Sequence, residues 1–469
     1  MASQRGKYLL KNSILFALGN FGTKIISFFL VPVYTNILTT SQYGTVDLIY
    51  TVGTVLVPLL TLNIGEAIMR FALDIDADQN AIMSTGFTGL VFCLIIGLVA
   101  IPCGSFFAEI KPYVWYLYLY TVSLAFSQMF LCNLRGRELL LQYSIGNIIQ
   151  TLSIALSNIF FLVVLHRGVE GYLTAYILSN LITAAYAFAA GNVWNSLVHF
   201  RIDKVLAKQM ILYSVVLIPN SFMWWIMNSS DRLMVTAMVG VAVNGIYAVA
   251  YKVPTLLATI STVFNQAWSY SAIREQTSDD RESYNNMVYG NLMAIVSIGG
   301  SGLMMIMKVF LKYYVGTDYY TAWMYTPVLI IGFVFMTLGA FVATSYTVHK
   351  DSLGFLISGT AGAIINVALN FWLIPILGAM GAAVATCLSY FTVFVYRSCN
   401  TRKYLKLEVI NVKYASGIGL LVASGFTMFI DSMIGQLLLI VEFILMLVVY
   451  NRLVLDIVSI IPNLRKTYK

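Results

Sequence analysis

The sequence predicts an all-α, polytopic membrane fold, and three observations carry that prediction. Hydrophobic residues fill 59% of the 469 positions and charged ones only 10%, against about 25% charged in typical soluble domains. Apolar stretches of about 20 residues recur along the whole length, enough to cross a hydrocarbon core of roughly 30 Å. The lysines and arginines also concentrate in alternate connections, the pattern that orients membrane helices.

Reading apolar runs against charged and Gly/Pro breaks gives fourteen transmembrane helices in order. Span 1 (13–34) is too long for a secretory signal and lacks a small-residue cleavage site, so it reads as a retained helix carrying Lys24 and Pro32. Span 2 (46–64) carries Asp47 near its outer end and Pro58 inside, with Glu66 and Arg70 following. Span 3 (82–104) precedes span 4 (113–132), which opens on the aromatic run YVWYLYLY. Spans 5 (143–165) and 6 (171–191) close the first half. Span 7 (209–230) holds Pro219 and ends on Asp231 and Arg232, and span 8 (245–273) holds Lys252 two residues before Pro254. Span 9 (287–314) leads through YYVGTDYY to span 10 (321–346) with Pro327, then spans 11 (353–376) and 12 (379–397). Spans 13 (412–430) and 14 (432–451) end the series, the last with Glu442 in its middle.

Charge placement tests this count, because a wrong number of spans would scramble the alternation. With the N-terminus inside, 21 of the 28 Lys and Arg residues fall on the cytoplasmic side, six on the outer side or outer span ends, and Lys24 alone in mid-span. Both termini are therefore expected in the cytoplasm of a plasma-membrane protein. The net charge of +8 encodes orientation and gives no reason to expect nucleic acid. No segment between spans exceeds about twenty residues, so no extramembrane domain fits. Gly6-Lys7 lacks the surrounding phosphate-loop pattern, and His166, His199 and His349 form no zinc motif. No cofactor, metal or ATP hydrolysis is expected. The five cysteines (Cys93, Cys103, Cys132, Cys387 and Cys399) show no paired spacing and read as packing residues.

An internal repeat runs through the chain. Gly44, Tyr50, Val52, Thr54 and Leu56 recur 201 residues later as Gly245, Tyr251, Val253, Thr255 and Leu257. Gly168, Gly171, Ala175, Leu178 and Ser179 recur 210 residues later as Gly378, Gly381, Ala385, Leu388 and Ser389, and Asn158 with Leu165 matches Asn370 with Leu377 after a two-residue shift. Spans 1–6 thus duplicate as spans 7–12. Because six is even, the two six-helix bundles are related by a pseudo-two-fold along the membrane normal, as in transporters with parallel repeats. The expected organisation is residues 1–205, 206–400 and, outside the repeat, 401–469 with spans 13 and 14. Pro32, Pro58, Pro219 and Pro254 interrupt spans 1, 2, 7 and 8, which are expected beside the cavity; Pro327 in span 10 has no such partner.

Charges inside the spans point to function. Lys24 shares a polar stripe with Ser13, Asn20 and Ser27 at helical spacing. A mid-bilayer lysine costs about 3 kcal/mol or more, so it is expected to line a cavity or meet a partner rather than snorkel. Lys252 and Arg232 can each pair with Asp231, as a structural bridge or at a substrate site. Arg70 has Glu66 at i−4, the spacing of a helix-surface pair, with substrate contact as the other reading. Asp47, Asp231 and Glu442 are candidate ion-coupling groups. The two aromatic runs read most simply as an interfacial belt, although such rings also stack on sugars.

The segments KNSILFALGNFGTKIISFFLVPVYTNILTTSQYGTVDLI, SSDRLMVTAMVGVAVNGIYAVAYKVPTLLATISTVFNQAWSYSAI and NVALNFWLIPILGAMGAAVATCLSY resemble polysaccharide flippases of the O-antigen and capsule type. That family lies in the superfamily of multidrug/oligosaccharidyl-lipid/polysaccharide exporters, and the likeness covers nearly the whole chain. It implies two six-helix bundles around a central cavity and alternating-access transfer of undecaprenyl-diphosphate-linked oligosaccharide to the outer leaflet. It also implies the bilayer, a polysaccharide polymerase and glycosyltransferases as surroundings and partners. Lys24 and Lys252 match basic cavity residues of that family, with Asn20, Ser27, Arg70, Asn265 and Gln266 as further substrate-binding candidates. Some relatives carry several arginines on the first two helices, where this chain has Lys24 and the more peripheral Arg70, so its cationic site is expected to be sparser or differently built. The alternative is a drug or ion antiporter of the same superfamily. A membrane polymerase or ligase ranks third, because such enzymes need a sizeable outer loop.

Overall fold

The computed structural model describes residues 26–74, 76–100, 108–274 and 280–451. Among the described residues the secondary structure is helical, with no strand. Among the described residues ten helices are long and apolar enough to cross a membrane, and α1 (Ile26–Ile37) and α17 (Met433–Val449) are shorter apolar helices. The chain is a multi-pass membrane protein. It divides into two compact units, within Met1–Gly245 and within Ile246–Lys469. This contact boundary lies beyond the repeat boundary read from the sequence.

The first unit contains α1, α2 (Thr40–Leu60), α3 (Ile64–Ala72), α4 (Gln79–Ala100), α5 (Val114–Gly136), α6 (Leu140–Asn158), α7 (Gly168–Ala190), α8 (Val193–Val198), α9 (Lys204–Met238) and the first turn of α10 (Val241–Lys252). A capping box starts α2: Thr39 Oγ1 accepts from Gln42 N at 3.2 Å and Thr39 N donates to Gln42 Oε1 at 3.0 Å. Pro58 lies in the last turn of α2, and three residues later the span breaks before resuming as α3. The core gathers Ile64, Ala67 and Ile68 of α3 with Leu90 of α4 and Met129 of α5, all buried. The long α9 packs on α2, α3 and α4 and so belongs to this unit.

The second unit holds α11 (Pro254–Arg274), α12 (Arg281–Tyr314), α13 (Thr326–Val348), α14 (Ser352–Leu377), α15 (Ala379–Asn400), α16 (Val412–Thr427) and α17. Pro254 opens α11 rather than kinking one continuous span 8, because its missing N–H is tolerated at a helix start. Pro327 likewise falls in the first turn of α13, so it interrupts nothing, which explains its lack of a repeat partner. Arg397 is 5% exposed and ties three helices: Nε donates to Ser358 Oγ at 3.0 Å and Nη1 to Gly339 O at 3.1 Å. In the α13–α14 turn, Asp351 caps Gly354 N and accepts from Lys403 and Tyr404, which holds its carboxyl down to about 2.

The repeat is visible inside each unit. In the first, α7 packs on α5 and α6; in the second, α15 packs on α13 and α14. Gly168 and Gly378 both take left-handed backbone, at φ +55° and +60°. Gly171 lies against Phe161, and its counterpart Gly381 lies against Leu373, the residue that corresponds to Phe161 under the shifted alignment. Asn158 and Asn370 are both fully buried.

Gly44 and Gly245, repeat counterparts, touch each other within the first unit. A methyl group on Gly44 would sit 1.9 Å from Val241 O, and one on Gly245 would sit 2.1 Å from Thr40 O. Thr40 and Val241 are themselves 201 residues apart, so the two glycines exchange equivalent contacts. Backbone cannot yield as a flexible side chain does. Gly44→Ala is therefore expected to cost about 3 kcal/mol, the upper range for overpacking, read as a lowered melting temperature of the detergent-purified protein; an unchanged value would contradict this packing.

Candidate functional site

One face of α2 carries Gly44, Asp47 and Thr51, at helical spacing. The glycine lets the first turn of α10 approach, and Asn244 there donates to Gly44 O at 3.3 Å and to Asp47 Oδ2 at 3.4 Å. From α9, Arg232 Nη1 donates to Asp47 Oδ1 at 3.1 Å. One turn along, Trp225 Nε1 donates to Thr51 O at 3.0 Å. Asp47 is 6% exposed, so this is a buried ion pair with a neutral third partner. Such a pair gains from Coulomb attraction at low dielectric but must offset the loss of hydration of two ions. Removing one member is costly because the other is left buried and charged.

The sequence placed Arg232 beside Asp231. In the structure the Arg232 guanidinium reaches Asp47, while Asp231, 2% exposed, accepts from Arg232 N at 2.9 Å. Asp47, read as an ion-coupling candidate, is engaged in this pair.

Beside the pair lies a cluster of six tyrosines. Tyr34 of α1 meets Tyr172 of α7 with ring centroids 4.9 Å apart, and Tyr43 of α2 at 6.1 Å. Tyr172 and Tyr176 stack at 4.9 Å and share a hydroxyl hydrogen bond of 3.2 Å. Tyr50 contacts Tyr120 and Tyr176 at 6.0 and 5.9 Å. The run YVWYLYLY is thus divided: Trp115 is 61% exposed, as an interfacial residue would be, but Tyr120 is buried in this cluster.

The α2–α3 break is the third polar feature. Leu62 and Asn63 both adopt positive φ, 50° and 55°. A cavity opens beside them, lined by Thr61, Asn63, Glu66, Gln128 and Cys132. Asn63 Nδ2 donates to Ser221 Oγ of α9 at 3.1 Å. The expected Glu66–Arg70 pair does not form: Arg70, exposed in the last turn of α3, reaches past the helix end to Asp74 at 2.6 Å, while Glu66 in the first turn lines the cavity.

The other sequence candidates are dispersed. Lys24 and Asn20 lie outside the described residues. Ser27 is exposed on α1. Lys252 is half-buried at the end of α10, its carbonyl accepting from Thr255 Oγ1 at 2.6 Å. Asn265 and Gln266 lie on α11, where Asn265 Nδ2 donates to Ser261 Oγ at 3.0 Å. In the second unit Glu442 Oε1 accepts from Thr427 Oγ1 at 2.7 Å. The tyrosine cluster and the cavity were missed by sequence reasoning; the tyrosines at 43 and 50, and at 172 and 176, offered a helical spacing that signals one face.

Residues 9–270 match the family model described as polysaccharide biosynthesis protein. No curated protein sequence is a significant match. Among solved structures, the lipid II flippase MurJ in an inward closed conformation superposes with a TM-score of 0.64 at 13% identity, covering 95% of this chain and 100% of that one. An inward-facing multidrug resistance MATE family transporter of the MOP superfamily gives 0.64 at 13% identity, covering 82% and 97%. A MOP superfamily transporter from Pyrococcus furiosus gives 0.60 at 14% identity, covering 84% and 94%. At these identities the likeness establishes a shared fold.

The buried pair makes a direct prediction. Arg232→Leu is expected to destabilise the protein by about 3–5 kcal/mol, and Asp47→Leu combined with it to recover most of that loss. Thermal unfolding of both variants measures this. A double variant no more stable than the single would show that the ion pair is not what the site depends on.

Proposed function

The chain belongs to the polysaccharide biosynthesis protein family, and from that premise we propose that it is a flippase for undecaprenyl-diphosphate-linked oligosaccharide. It carries this lipid from the cytoplasmic to the outer leaflet of the plasma membrane by alternating access. One conjunction carries the reading: a polysaccharide biosynthesis family match, joined to a fold likeness with a lipid flippase that runs the length of both chains. A membrane protein of a polysaccharide family with that fold has an evident task, the movement of a glycan still attached to its lipid. The cationic excess on one side supports a topology with both termini in the cytoplasm. A polysaccharide polymerase and glycosyltransferases are the partners this role entails.

The physical problem is a diphosphate and a string of sugars that must leave water while an isoprenoid tail stays in lipid. Fixed cations and hydrogen-bonding groups replace the lost hydration. In this reading Lys24 and Lys252 hold the diphosphate, and Asn20, Ser27, Asn265 and Gln266 bond to oxygens of the headgroup. Arg70, exposed and paired with Asp74, has the weakest case.

The equal TM-score to a multidrug transporter favours a second reading, drug extrusion. The two separate in cells. A flippase deletion strands lipid-linked oligosaccharide on the cytoplasmic leaflet, whereas an extruder confers drug resistance on expression and leaves the glycan intact.

Lys24→Ala is expected to abolish surface polysaccharide with no loss of folded protein, and Lys24→Arg to retain part of it, scored by surface-glycan immunoblot against membrane protein level. Full export by a well-expressed Lys24→Ala variant would refute the role.

A further inference from the structure

We propose that the cavity where the end of α12 meets the start of α17 binds the headgroup of an anionic phospholipid, one whose phosphodiester carries its single negative charge. The inference starts from charge placement. By the charge pattern of the sequence, six of the 28 Lys and Arg residues fall on the outer side. Two of the six, Lys308 and Lys312, line one cavity of about 410 Å³ in the second unit, within the usual size range of small-molecule sites. Its frame is firm: α12 packs on α17, α17 on α16, and the 3₁₀ helix Thr317–Met324 on α12.

The lining suits an anion of one charge. Lys308 donates to Asp431 Oδ1, and its ammonium lies 4.0 Å from the centroid of the Trp323 ring, so this pair is neutral as a unit. Lys312 is exposed and makes no ion pair among the described residues, which leaves the cavity one net positive charge. Asp318, the acid in the first turn of the 3₁₀ helix, is not part of the lining. Ser432 Oγ accepts from Gly435 N at 3.2 Å, so its hydrogen remains to be donated, and Gln436 adds an amide. Two ammonium groups, a hydroxyl and an amide thus surround a space holding one carboxylate. A phosphodiester offers acceptor oxygens and one negative charge to match; a diphosphate would bring more charge than the cavity balances.

The walls beyond the cavity favour an amphiphile over a free ion. Ile306, three residues before the lining residue Val309, is exposed on α12, and Ile440 and Ile444, four and eight residues after Gln436, are exposed on α17. These apolar faces give acyl chains a path away from the headgroup. Lysines and aromatic residues are common at any membrane interface, but interfacial residues need not enclose a cavity, and Lys308 is held between Asp431 and Trp323 with its side chain only 17% exposed. The assignment to the outer leaflet follows the charge pattern; the binding claim is independent of the flippase reading.

Lipid titration of the detergent-purified full-length chain tests it. Phosphatidylglycerol should raise the melting temperature saturably, and zwitterionic phosphatidylcholine should not. Lys312→Gln should weaken the apparent affinity for phosphatidylglycerol about tenfold, while Lys208→Gln, at an exposed position in the first two turns of α9, should leave it unchanged. Asp431→Asn raises the net charge of the cavity and should tighten binding; should that variant fail to fold, the exposed Lys312 decides. Equal responses to the two lipids, a Lys312→Gln variant that binds as the unaltered chain does, or weaker binding by folded Asp431→Asn overturns the proposal. Undecaprenyl diphosphate that displaces phosphatidylglycerol at an equal or lower concentration also overturns it, by assigning the cavity to the isoprenoid lipid.

Discussion

Hydrocarbon answers no hydrogen bond and hydrates no charge, so every polar group carried into the membrane must be met inside the protein. The architecture of the first unit follows from that constraint. Asp47 meets Arg232 and Asn244, and Trp225 meets the carbonyl of Thr51. Gly44 and Gly245 are small because this cluster requires two helix backbones to approach closely enough for Asn244 to reach Gly44 O. The second unit solves the same problem with Arg397, whose guanidinium is satisfied by a hydroxyl and a backbone carbonyl.

Groups met in this way are structural. Those that line a cavity have another explanation. Glu66 lines the cavity at the α2–α3 break, and Lys252, at the end of α10 ahead of Pro254, sits at a second helix interruption, the feature that admits ligands to membrane bundles. Under the proposed flippase reading these interruptions have a use in moving a charged, hydrated headgroup.

Much of the fold was legible because hydropathy is a local property. Helices cover the middle of every expected span from the second to the fourteenth, and the glycines of the second echo show its consequence as paired left-handed backbones at Gly168 and Gly378. Pro58 signalled an interruption in span 2, but its position was not legible: the left-handed residues Leu62 and Asn63 lie beyond the proline, and neither is glycine or proline. Arg232 stands beside Asp231 in sequence, but its guanidinium partner Asp47 is 185 residues away, a separation that no local pattern encodes. The Tyr120 ring reads as interfacial within its aromatic run and is buried only because α2 and α7 bring Tyr50 and Tyr176 against it.

Reconstitution tests the central claim most directly. Vesicles containing the purified protein and undecaprenyl-diphosphate-linked oligosaccharide sealed in the inner leaflet would be probed from outside with an impermeant lectin. The account predicts time-dependent appearance of the glycan at the outer surface, dependent on the protein. Glycan that stays sealed inside vesicles holding folded protein, while a drug-like cation crosses, would contradict it.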